Sequence, residues 1–105
     1  MTTATTTDLA ERAIATLRAH RDELRDAGVR HLSLFGSVAR GEAHADSDID
    51  LVAEFDPRVR MDLFRLTALE RRISDLLGCR VDLLTEPVEK ARLRANIARD
   101  RRDAF

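Results

Sequence analysis

A Gly-Ser pair, Gly36-Ser37, stands ten residues ahead of a D-I-D triplet, Asp48-Ile49-Asp50, and a third carboxylate, Asp82, lies in a second short apolar run, VDLL. Carboxylates at i and i+2 project to one side of an extended chain, because successive side chains of a strand alternate faces. Asp48 and Asp50 therefore point the same way, and Ile49, Leu51 and Ala53 point to the other side, toward a core. Two carboxylates side by side repel unless they are solvated or share a cation. Mg²⁺ takes oxygen ligands and is commonly held by one or two carboxylates together with substrate phosphates. A Gly-Ser turn supplies the complementary part: glycine lets the backbone approach a ligand closely, and free backbone N–H groups at a helix start attract anions. Arg40, three residues on, adds positive charge. The combination points to chemistry on a nucleoside triphosphate.

Each element alone has an ordinary reading. D-I-D at a strand start is often a solvated edge, an aspartate in VDLL a surface strand residue, and Gly-Ser a turn. The spacing and the strand contexts, taken together, favour a single site. Asp46 offers a competing D-x-D with Asp48, but the ten-residue gap from Ser37 selects Asp48 and Asp50.

The stretch GSVARGEAHADSDIDL resembles the G-S-x10-D-x-D motif of the DNA polymerase beta-like nucleotidyltransferases. More narrowly, the chain resembles the minimal nucleotidyltransferases, or MNT proteins, which are typically paired with HEPN-domain proteins in prokaryotic toxin–antitoxin systems. The core of the resemblance runs over residues 31–84. It implies that Asp48, Asp50 and Asp82 are metal-binding and catalytic, that Gly36 and Ser37 hold the triphosphate with Arg40 nearby, and that two Mg²⁺ ions serve as cofactors with ATP as substrate. It also implies AMP transfer to a hydroxyl of a HEPN toxin, Asp82 standing nearest the attacking oxygen. Two rivals remain. One is a non-catalytic antitoxin that neutralises its partner by contact. The other is an antibiotic nucleotidyltransferase, which usually carries a further domain for its acceptor.

The elements that must position these residues follow from periodicity. A helix is expected over residues 8–27, with Ala10, Ile14, Leu17 and Leu24 near one face and Gly28 as its stop. A strand is expected over 31–35, a short helix or turn over 37–41, a polar loop over 42–47 and a second strand over 48–55. Residues 61–77 read as a helix through Leu66, Leu69, Ile73, Leu76 and Leu77, residues 80–85 as a third strand, and residues 88–102 as a last helix. The expected fold class is α/β (α+β), in the order α-β-α-β-α-β-α. The helix between the second and third strands makes that pair parallel by a crossover, and the first and second strands are expected to be antiparallel. The sheet order 1-2-3 comes from the resemblance.

A chain of 105 residues allows one small domain, expected over 8–105 behind a frayed polar start at 1–7. No run approaches the roughly 20 apolar residues of a membrane span, and the start lacks the pattern of a secretory signal. Cys79 is the single cysteine, which excludes an internal disulfide and fits the cytoplasm. His20, His31, His44 and Cys79 show no zinc-ligand spacing. His20 reads as an exposed helix residue, His31 as a strand start, His44 as a loop residue and Cys79 as a small buried hydrophobe. Residues 89–105 carry a net charge of +3 against -1 for the whole chain. Interspersed acids and scarce aromatics make this a solvated face rather than a nucleic-acid surface.

Overall fold

The computed structural model describes residues 6–42 and 48–105. The expected loop at 43–47, with His44 and Asp46, and residues 1–5 of the polar start lie outside the described residues. The helices are α1 (Thr6–Ala19), α2 (Arg21–Asp26), α3 (Gly36–Ala39), α4 (Leu63–Leu77) and α5 (Ala91–Asp100), and the strands β1 (Val29–Phe35), β2 (Ile49–Phe55), β3 (Val81–Thr85) and β4 (Arg102–Asp103). The sheet order is β3-β2-β1-β4. β1 is antiparallel to β2 and β2 is parallel to β3, as expected.

Three expectations are corrected. The first helix is two helices, broken at His20, whose backbone leaves the helical region. The His20 ring nitrogen lies 3.0 Å from the Thr16 carbonyl, so the side chain competes for a backbone acceptor there. His20 is accordingly half-buried at the break, not an exposed helix residue. The sheet has a fourth strand, because Arg102 and Asp103 pair with Leu34 and Ser33 on the outer edge of β1. The last helix is also shorter at both ends, running only from Ala91 to Asp100.

The main core fills one face of the sheet. Leu32, Leu34, Ile49, Leu51 and Ala53 are fully buried there against Ala10, Leu17 and Leu24 of the first two helices and Ile73 of α4. Strand alternation and helical spacing made these faces legible. α4 opens on Asp62, whose carboxylate accepts the Arg65 N–H at 2.8 Å, and closes on Gly78 at φ 70°. These are the helix start and stop that Asp and Gly favour. Cys79 is half-buried beside this core.

The other sheet face carries a second, smaller core. Phe35, Val52 and Ile97 are buried together, with Leu84, Val88 and Leu93 packed partly against them. α5 thus covers the lower part of the face on which the aspartates project. β3 is an edge strand, and its Leu83 N–H is taken up by Glu70 of α4 at 3.0 Å. A covered edge resists pairing with another chain. Among the described residues no helix is long and apolar enough to cross a membrane.

Candidate active site

β2 is the central strand of the site, and its two neighbours deliver everything else. Its antiparallel register sets Phe35 beside Asp50, so the chain that leaves β1 at Phe35 enters the Gly36-Ser37 turn next to that carboxylate. Its parallel register sets Asp82 beside Asp50 on the opposite flank. Neighbouring strands stand about 4.8 Å apart, so these two carboxylates are lateral neighbours. Asp48 immediately precedes β2, two residues from Asp50 and on the same face. Ile49, Leu51 and Ala53 on the alternate face are fully buried, which locks this phase of the strand. Asp48, Asp50, Asp82, Gly36 and Ser37 therefore gather at one end of the sheet.

The electrostatics of the cluster are those of crowded like charges. Burial raises the pKa of Asp50 above its ordinary value, and the Asp82 and Asp48 carboxylates raise it further, while Arg40 opposes them. Asp48 and Asp82 are exposed and Asp50 is partly covered. Burial, assisted by Asp48, also lifts the nearby Cys79 thiol.

The phosphate turn is built on strained geometry that only glycine meets. Gly36 sits at φ 76°, and a Cβ placed on it would collide with Asp50 Oδ2 and lie 3.2 Å from Asp50 Cγ. The turn is pressed against the Asp50 carboxylate, an approach that only glycine permits. No side chain caps the start of α3, since the residue there is Phe35. The first amides of the turn consequently receive no side-chain acceptor. Arg40 ends α3, and its N–H closes the turn on the Gly36 carbonyl at 3.1 Å. Its guanidinium donates to Asp100 at 2.7 Å and to Glu42 at 3.0 Å. The arginine is thus held at the rim by two acids, one of which, Asp100, the sequence did not single out.

Among the described residues, no three His, Cys, Asp or Glu side chains converge closely enough to cage a cation by themselves. The donor set still fits a hard divalent ion. Asp50 and Asp82 are paired across neighbouring strands and Asp48 lies two residues from Asp50, and the mutual repulsion of such carboxylates is relieved by a cation.

Comparison with known proteins agrees with this geometry. Residues 17–104 match the nucleotidyltransferase domain family. The chain belongs to that family. It is 43% identical over 84 residues to the protein adenylyltransferase MntA of Thermococcus cleftensis, covering 79% of each chain. A solved minimal nucleotidyltransferase superposes with a TM-score of 0.69 at 32% identity, covering 97% of this chain and 98% of that one. A complex of a tri-AMPylated Shewanella oneidensis HEPN toxin with its MNT antitoxin matches in fold, with a TM-score of 0.64 at 18% identity over 89% of this chain and 71% of that one. The protein is a nucleotidyltransferase of the minimal type, and the mixed sheet flanked by helices is that family's fold.

Proposed function

We propose that this protein is the antitoxin of a HEPN toxin and silences it by transferring AMP from ATP to a tyrosine hydroxyl of the toxin, in the cytoplasm. The observation that carries this reading is the pairing of Asp50 with Asp82 on one side and with Phe35 on the other, which packs Gly36 against the Asp50 carboxylate. The MntA relative and the AMPylated toxin complex, which share its family or fold, support the partner and the nucleotide.

Asp48, Asp50 and Asp82 would hold the Mg²⁺ cofactor, two ions in this reading, through their carboxylate oxygens. When bound, the metal offsets phosphate charge and lowers the pKa of the acceptor hydroxyl. The amides of the Gly36-Ser37 turn orient the β and γ phosphates, and Arg40 adds charge at the rim. The acceptor oxygen bonds to the α-phosphorus, the bond from that phosphorus to the β-phosphate oxygen breaks, and pyrophosphate leaves. Asp82, exposed on the flank of Asp50, takes the hydroxyl proton. A bulky anionic AMP on the toxin blocks an RNA-cleaving site sterically and by charge.

The test is to incubate the protein, ATP and Mg²⁺ with its HEPN partner and record the partner's intact mass. A gain of one or more AMP units, absent with Asp48→Asn, is expected. An unmodified but fully neutralised partner would establish the contact-only alternative.

A further inference from the structure

Asp100 is the last residue of α5, and its side chain is only 3% exposed. A buried carboxylate is costly unless it is paired and hydrogen-bonded. Here it accepts from two arginines. Arg99 donates at 3.0 Å and 3.3 Å, and Arg40, sixty residues away in sequence, donates at 2.7 Å. Arg99 and then Arg40 hold the Asp100 carboxyl below its ordinary pKa against the opposing effect of burial. The two arginines differ in what they are attached to. Arg99 is a neighbour on the same helix and largely solvated. Arg40 closes α3, and through that turn is tied to Gly36, which abuts Asp50.

A continuous path therefore runs from Asp100 to Arg40, through the α3 turn to Gly36, and on to the central carboxylate of the site. We infer that Asp100 is a positioning residue: it fixes the Arg40 guanidinium, and with it the Gly36-Ser37 turn, at the mouth of the acidic cluster so that the triphosphate meets an ordered cation. This rests on the reading of the site as one for nucleotidyl transfer. Asp100 touches no substrate itself. Its role is to keep Arg40 from following the nearest exposed acid, Glu42, out toward solvent. The long arginine side chain otherwise loses considerable rotamer freedom when it meets a ligand, and a guanidinium already anchored on one edge has less to lose. The C-terminal helix, which contributes none of the carboxylates, thereby sets the affinity of the nucleotide.

The test uses the full chain with Asp100→Asn, Asp100→Glu, Arg40→Ala, the double variant Arg40→Ala with Asp100→Asn, and Arg99→Ala. Mg²⁺–ATP affinity is measured by calorimetry, and KM for ATP and kcat are measured on the HEPN partner. Asp100→Asn is expected to weaken ATP by about tenfold, the scale of one charge-assisted contact, with kcat changed less than about threefold. Asp100→Glu recovers part of the loss, Arg99→Ala leaves affinity unchanged, and the double variant binds no worse than Arg40→Ala alone. Equal ATP affinity in wild type and both Asp100 variants overturns the inference. So does a loss in the double variant that is the product of the two single losses. If Asp100→Asn does not fold, Asp100→Glu decides the matter by the same affinity comparison. Absence of AMP transfer by wild type, with ATP affinity still dependent on Asp100, would refute the transfer reading and leave this inference standing.

Discussion

Gly36 and Asp50 are packed so closely that a single methyl group on the glycine would overlap the aspartate carboxylate. The Gly36-Ser37 turn and the Asp50 carboxylate are therefore packed as one unit, set by the Phe35–Asp50 strand pairing directly upstream. Gly36→Ala tests this contact. The substitution meets a positive φ as well as the overlap, so it is expected to cost about 1–3 kcal/mol of stability. It should also displace the turn from Asp50 and lower transfer by more than about 100-fold, the scale of losing one aligned stabilising group. Thermal melts and single-turnover rates measure both. Wild-type activity in Gly36→Ala would show that the turn has no bearing on the site.

Asp50 gives a prediction with a defined sign. Burial, with Asp82 and Asp48, raises its pKa above the ordinary value of 3.8. The folded state thus holds the proton more tightly than the unfolded state. Asp50 weighs least on stability below the unfolded pKa, where it is protonated in both states. It becomes a burden as pH rises through the folded pKa. Asp50→Asn removes that burden. In chelator, the variant should melt no lower than wild type at pH 7, and its advantage should shrink toward zero as pH falls below about 4. Its transfer activity should be lost by more than about 100-fold. A variant that loses stability and activity together at neutral pH would mark Asp50 as a structural residue.

Metal and nucleotide should bind as a pair. Triphosphate alone faces three carboxylates and is repelled, and the cation removes the repulsion. Calorimetry with ATP should give measurable affinity in Mg²⁺ and little in chelator. Equal affinity in both would contradict the metal bridge.

The helix cap at Asp62 provides a contrast. It lies beyond the end of β2 opposite to Asp48 and holds only the Arg65 N–H at the start of α4. Asp62→Ala should cost about 1 kcal/mol and leave the ATP KM and kcat of the folded protein unchanged. A selective loss of ATP affinity would show that the two ends of the sheet are coupled.

The sequence disclosed the site because strand pairing obeys simple arithmetic. Asp48 and Asp50 share a face by the two-residue period, and Leu32, Leu34, Ile49, Leu51 and Ala53 mark the opposite face by being apolar. The crossover helix makes the second and third strands parallel, but that they are neighbours, which carries Asp82 to Asp50, came from the family resemblance and not from any pattern in the residues. What stayed hidden had no periodic signal. Leu17 and Leu24 keep helical spacing across the break at His20, so the pattern runs through a point where the backbone does not. β4 is two polar residues, Arg102 and Asp103, and its existence depends on the free edge of β1. Asp100 sits among basic residues and reads as part of a solvated face. Its burial is decided by Arg40, sixty residues away, which no local pattern shows.

The central claim is nucleotidyl transfer at the α-phosphorus onto a protein hydroxyl, and the position of a label on ATP tests it most directly. The protein, its HEPN partner and Mg²⁺ are mixed with ATP labelled at either the α- or the γ-phosphate, and the partner is separated and counted. α-Label is expected to enter the partner while γ-label leaves as pyrophosphate, and Asp48→Asn and Asp82→Asn are expected to abolish both. Transfer of γ-label to the partner, or neutralisation of the partner with neither label attached, would contradict it.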